Sequence, residues 1–314
     1  MIIVGAILWG ASGPMMEWIL LNSDITVSFM LTVRLLLAGS FLLIMLKIKG
    51  VQIMRPWRQK VWGRQLLIFG VFGMLGVQYT FVASVDTSNA VIATLFQFLA
   101  PIYIIAFVSW SRRLWPPVTQ VLGMIITLLG LFLLLTNGSM SGFALSKIAV
   151  FWGIALGFAF SFYTLYPARL MAEWGVLLSV GWAMIIGGAA LYITNPISSV
   201  KQLQLLGEWN ITGMLLLAII VGTLAFILFL GSMKYITPIE TSVLSSFEPL
   251  TAIIVSVIWF GQVLGFWQLT GSVIMLLGVT WISISGSKGK KVEKYKGPPK
   301  RGKRKLKVKD RPPK

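Results

Sequence analysis

Apolar residues fall along this chain in long unbroken runs, without the alternation of a half-buried strand or the polar face of a surface helix. Ten runs reach the roughly 17 to 25 residues that a bilayer-spanning helix needs. They cover about 1 to 20, 26 to 46, 66 to 85, 90 to 110, 117 to 135, 147 to 168, 176 to 194, 211 to 233, 241 to 260 and 268 to 285. The pattern predicts an all-α, polytopic membrane protein of ten transmembrane helices. Met1-Ile2-Ile3-Val4 enters the first run at once, without the charged n-region of a signal peptide. That run is therefore expected to remain as a transmembrane helix, or as one lacking its leading residues.

Charge then orients the runs. The connection from Lys47 to Arg64 carries six Lys or Arg and no acid, whereas the preceding one, Leu21 to Ile25, carries Asp24. The positive-inside rule places the first of these in the cytoplasm. Alternate connections agree in sign, with Arg112, Arg113, Arg169, Lys234 and the basic tail falling on the same side. Both termini are expected to be cytoplasmic. Trp57, Trp62, Trp110, Trp115, Trp174, Trp209, Trp259 and Trp267 lie near run ends, where indole rings settle at the headgroup level, and are expected to be anchors.

Composition agrees with this picture and removes several functions. Of the 314 residues 57% are hydrophobic and 11% charged, against about 25% charged in soluble domains. The net charge of +18 would suggest nucleic acid, but 14 of the 27 Lys and Arg follow Ser287. No nucleic-acid partner is expected. Residues 286–314, rich in Lys, Gly and Pro, are expected to be a disordered cytoplasmic tail resting on anionic lipid. Without Cys or His, thiolate metal sites, disulfides and His-dependent catalysis are excluded. No cofactor, metal or catalytic residue is expected.

The chain also looks doubled. Pro101 is followed by glycines at offsets of 22 and 29, Gly123 and Gly130, and Pro249 by Gly271 and Gly278 at the same offsets. Five spans per copy is an odd number, which forces the second copy into the membrane upside down as an inverted repeat. Such halves can exchange roles around a central cavity. The boundaries implied are 1–136, 147–285 and 286–314. The paired glycines, with Gly70, Gly73, Gly76, Gly153 and Gly157, are read as helix-packing positions.

Ten spans, Trp9-Gly10 in the first, Arg34 in the second, Phe98-Leu99-Ala100-Pro101, Phe247-Glu248-Pro249 and the closing glycine pattern together resemble the drug/metabolite transporter superfamily, specifically its EamA-type permeases. The resemblance covers about residues 3 to 286. It implies an inner-membrane carrier of two EamA repeats, commonly exporting amino acids, metabolites or toxic small molecules. Members often carry Gly-Glu just after the ninth span; Gly261-Gln262 departs from that and loses an acid at the outer rim.

The ionisable residues at depth are the candidates for transport. Arg34 lies roughly 18 Å up from the inner end of its span and Glu248 roughly 10 Å, at 1.5 Å per residue. A charge at a helix centre costs roughly 2.5 to 3.5 kcal/mol, so each should face a cavity or a partner. Arg34 would meet a substrate carboxylate or phosphate, and Glu248 an amine or a coupling proton. Equally, the two could form a buried ion pair that locks the bundle. Ala100 stands where Glu248 would be echoed, so the acid belongs to one half only.

Among neutral groups Gln78, Tyr79, Asn89, Gln97, Ser245, Ser246 and Tyr163 offer hydrogen bonds at membrane depth. Gln97 and Ser245 rank higher because each lies four residues before a proline, Pro101 and Pro249, where a carbonyl is freed and the helix is expected to be discontinuous. Trp9, Phe96, Phe158, Phe162 and Tyr163 could wall an apolar pocket. Glu17 and Asp86 are read as rim residues near outer ends. The function expected is a secondary transporter of a small organic metabolite, exporting across the bacterial cell membrane by alternating access. The alternatives are an integral-membrane enzyme and a channel. The oligomeric state is left open.

Overall fold

The computed structural model describes residues 1–139, 145–194, 200–232 and 247–288, and every regular element there is helical. In order these are α1 (Ile2–Asn22), α2 (Val27–Ile48), α3 (Lys60–Thr87), α4 (Ala90–Gln97), α5 (Ala100–Arg112), α6 (Val118–Thr136) and α7 (Lys147–Leu165). The second half continues with α8 (Ala168–Trp174), α9 (Val176–Thr194), α10 (Val200–Leu205), α11 (Trp209–Ser232), α12 (Phe247–Phe260) and α13 (Phe266–Lys288). Eight stretches are long and apolar enough to cross a membrane, with α4 and α5 together forming one of them. Phe247–Phe260 and Phe266–Ile282 are shorter apolar helices.

Local chemistry explains where several helices begin. Thr26 Oγ1, Asn89 Oδ1 and Ser146 Oγ accept from the backbone N–H groups of Phe29, Ile92 and Ala149, capping α2, α4 and α7. Each takes one of the orphan donors of a helix start. Asn89, weighed above as a site group, is thus spent on its own helix. At the other end Arg113 and Asn137 adopt the left-handed conformation that closes α5 and α6.

Two spans differ from the expectation. The third starts at Lys60, takes in Arg64 and contains a π-helical stretch, Phe69–Leu75. An inserted wide turn lets a helix of this length re-aim its second half. The fourth is two helices that meet at Phe98 and Leu99, because Pro101 has no N–H to offer the carbonyl of Gln97. Short bonds from Phe98 N to Leu95 O and Leu99 N to Phe96 O, each 3.0 Å, tighten the turn instead. The carbonyl of Ala100 accepts from Ser161 Oγ of α7 at 3.1 Å.

Packing couples the halves of the chain to each other. The most extensive pairs are α6 with α13, α1 with α11, and α2 with α9, followed by α3 with α7, α3 with α9 and α1 with α12. Further contacts join α7 to α4 and α5, α2 to α11, and α4 to α12. The α6–α13 contact is built on the repeated glycines. A Cβ on Gly130 would press on the backbone of Gly271 and Met275, and one on Gly271 would meet the carbonyl of Gly130. Gly278 lies equally close to Thr127, and Gly123 to Ile282. The two glycine pairs therefore meet each other, backbone against backbone, as small residues permit between membrane helices. Gly153 receives the ring of Phe96, and Gly70 lies against Ile186, whereas Gly76 has no close neighbour on another helix.

The tryptophans divide. Trp110, Trp115 and Trp209 are exposed, as anchors should be. Trp57 and Trp62 instead make edge-on pairs with Trp182 and Trp174, bracing the basic 49–60 connection against α8 and α9. Trp182 Nε1 also donates to the carbonyl of Ile53 at 2.8 Å.

Candidate functional site

On α1, Trp9, Ser12 and Met16 follow one another at spacings of three and four, a single face of the helix. That face meets Arg34 of α2, Gln78 and Phe81 of α3, and Gln97 at the end of α4. Phe160 and Tyr163 of α7 and Phe226 of α11 close the ring. Six separate elements thus converge on one cavity. Its interior has only about 20 Å³ open to the centre of a water molecule. That accommodates about one water and no metabolite.

Arg34 is 6% exposed. Its Nη1 donates to Met16 Sδ at 2.8 Å, and Gly222 of α11 leaves the space its Nη2 occupies, since a Cβ there would come within 2.9 Å. Among the described residues it meets no carboxylate. Glu248 is 5% exposed, and its Oε1 accepts from Gln97 Nε2 at 3.3 Å. The buried ion pair between Arg34 and Glu248 is therefore absent among the described residues. The two charges are held separately, with the side chain of Gln97 reaching Glu248 from the cavity wall. Gly10 places α1 against the backbone carbonyl of Glu248, where any side chain would collide.

Tyr163 is 8% exposed. Its ring stacks on Phe69 at 5.5 Å and lies 5.9 Å from Phe160, while its hydroxyl has no hydrogen-bond partner among the described residues. Trp9 packs on Phe226 with ring centroids 4.6 Å apart.

Not every expected site residue reaches the cavity. Tyr79 turns away, edge-on to Trp152 at 5.8 Å, because its neighbours Gln78 and Phe81 take the inward positions of α3. Phe158 is 65% exposed and Phe162 stacks on Tyr166 at 4.9 Å. Both belong to an outward groove with Tyr103 and Phe107, so they do not wall the central pocket. Phe96 is fully buried against Gly153. Pro101 follows the break between α4 and α5, and Pro249 is buried in α12, three residues from the edge of the described residues. Ser245, Ser246 and the expected start of that span at residue 241 lie outside the described residues, as does the tail after residue 288.

One residue has a larger part than its position in the chain suggested. Glu17, near the end of α1, is buried and bonded: Oε2 accepts from the N–H of Ala90 at 2.8 Å and Oε1 from Gln262 Nε2 at 2.5 Å. It ties α1 to the start of α4 and to the turn before α13. Asp86 is exposed, as a rim residue would be. Ser12 and Met16 were findable from the helical spacing to Trp9; Phe226, in a uniformly apolar helix, carries no such signal.

Residues 1–136 and 147–284 match the EamA-like transporter family. The chain belongs to that family. It is a multi-pass membrane transporter of the drug/metabolite transporter superfamily. It is 34% identical to the uncharacterized inner membrane transporter YicL of Salmonella typhimurium over 288 residues, 90% of this chain and 94% of that one. It is 22% identical to the uncharacterized transporter YwfM of Bacillus subtilis, covering 93% of this chain and 95% of the other. A crystal structure at 15% identity superposes with a TM-score of 0.56, covering 91% of this chain and 98% of that one, a likeness of fold.

Proposed function

We propose that this EamA-like transporter is a secondary carrier that moves a small organic metabolite outward across the bacterial cytoplasmic membrane by alternating access. The observation that carries the reading is the convergence of α1, α2, α3, α4, α7 and α11 on a small central cavity lined by a buried cation. A channel would need a continuous polar path, whereas a centre too small for a solute has to enlarge towards either side in turn.

An inverted repeat of residues 1–136 and 147–285 gives that motion a basis. Exchanging the five spans of one half for those of the other maps α1–α11 onto α7–α3, and α1–α12 onto α7 with α4 and α5. The α2–α9, α4–α12 and α6–α13 pairs map onto themselves. Every one of these pairs is packed in the bundle, which supports the repeat. The glycine pairs at equal offsets from Pro101 and Pro249 support it further. Both termini lie in the cytoplasm on this reading, with the basic tail on anionic lipid.

Glu248 is the carboxylate through which a proton gradient would be coupled, since His is absent and Glu17 accepts from both Ala90 and Gln262, whereas Glu248 accepts only from Gln97 among the described residues. Counterflow in proteoliposomes tests the reading, using labelled amino acids, organic acids, sugars and amines with and without a pH gradient. Saturable exchange of one class, faster under the gradient, is expected. Lipid modification without exchange of any solute would overturn the reading in favour of an enzyme.

A further inference from the structure

The central cavity is lopsided in its hydrogen-bonding chemistry. Arg34 brings a guanidinium with five N–H donors, of which one is taken by Met16 Sδ. Tyr163 brings a buried hydroxyl with no partner among the described residues. Ser12, the other hydroxyl in the wall, is already committed to the carbonyl of Trp9 at 2.8 Å. Both nearby acids are occupied elsewhere, Glu248 by Gln97 and Glu17 by Ala90 and Gln262. Glu248 does not itself line the cavity, because Gln97 does.

A buried guanidinium that meets no carboxylate among the described residues is a costly arrangement. The remedy is an anion that accepts from the planar fork in two places, as a carboxylate does. A cationic substrate would meet Arg34 head-on and find no free carboxylate among the described residues of the cavity wall. A sugar would need many donors and acceptors, yet the wall includes the aromatic rings of Trp9, Phe81, Phe160, Tyr163 and Phe226.

Resting on the carrier reading above, we propose that the cargo is an organic monoanion, a carboxylate on an apolar or aromatic body. Its carboxylate is held by Arg34 and the Tyr163 hydroxyl, and its body packs among the aromatic rings when the cavity opens. Gln97 keeps Glu248 out of the anion's way.

The test uses three probes of one shape, phenylacetate, phenylacetamide and phenethylamine, with hexanoate as an aliphatic acid. Thermal unfolding of the purified full chain in detergent reads binding, and counterflow in proteoliposomes reads exchange. Phenylacetate or hexanoate is expected to raise the unfolding temperature and to exchange, while the amide and the amine do neither. Tyr163→Phe keeps the stack on Phe69 and removes only the hydroxyl. It should weaken carboxylate binding at least about ten-fold without lowering the unliganded unfolding temperature. Arg34→Gln should abolish the preference for the acid. Should Arg34→Gln fail to fold, Tyr163→Phe still decides the matter. Binding and exchange of phenethylamine or the amide in preference to the acids would overturn the anion proposal and leave the carrier standing. So would an unchanged carboxylate affinity in Tyr163→Phe, or exchange of other solute classes with no response to either acid.

Discussion

Gln262 donates from Nε2 to Oε1 of Glu17 at 2.5 Å, and so joins the turn between α12 and α13 to α1. The other oxygen of Glu17 holds the first N–H of α4. One carboxylate thus ties three elements at the end of α1 that lies outward on the proposed topology. The glutamine that removes an acid from the rim is matched to this partner, because a second carboxylate at position 262 would face Glu17 with no donor between them.

Breaking that tie should loosen the outer closure. A hydrogen bond to a charged group contributes about 1.5 to 3 kcal/mol, so Gln262→Ala is expected to raise outward opening about ten-fold or more. Gln262→Glu should do so further by like-charge repulsion. The natural chain has no cysteine, so Ser12→Cys provides a single reporter in the cavity. Its labelling rate by an impermeant thiol reagent from outside should rise in both variants. An unchanged rate would show that the contact does not hold the gate.

The transmembrane pattern was legible because burial in lipid demands long apolar runs, and the α6–α13 glycine contact because glycines spaced along a helix mark where backbones approach closely. Arg34 and Glu248 stood out for the same reason, as charges where charges are costly. Their separation was not legible: depth along a helix does not give azimuth, and only the folded bundle shows Gln97 between Glu248 and the cavity. Tyr79 and Phe158 were misplaced by the same ambiguity, since helices apolar on every side do not announce which face looks inward. The burial of Glu17 depended on Gln262, 245 residues away.

The glycine contact of α6 with α13 should be intolerant of added atoms. Gly130→Ala or Gly271→Ala inserts a methyl against opposing backbone, and overpacking of this kind costs about 1 to 3 kcal/mol. Gly213→Ala is the control, because no atom lies within 4 Å of where its Cβ would stand. Thermal unfolding in detergent should fall for the first two and hold for the third. Equal behaviour of all three would remove the packing role.

Gly10 offers a different outcome. Gly10→Ala drives a methyl into the carbonyl of Glu248 and should separate α1 from α12 at similar cost. Because the same crossing positions Glu248, gradient-driven exchange should fall more steeply than stability does. Loss of stability in proportion to activity would assign Gly10 to packing alone.

Glu248→Gln preserves an oxygen that Gln97 can donate to, so the local geometry should survive. Acceleration of exchange by a pH gradient is expected to vanish while counterflow without a gradient continues. Retained acceleration would eliminate Glu248 as the proton site.

The most direct measurement of alternating access is the side from which the central cavity can be reached. With Ser12→Cys as the only thiol, an impermeant reagent is applied first outside and then inside right-side-out and inverted membrane vesicles. The account predicts labelling from both sides, with a cross-link across the outer closure suppressing only the outer reaction. Labelling from one side alone under all substrate and pH conditions, or simultaneous access from both in a single locked state, would contradict it.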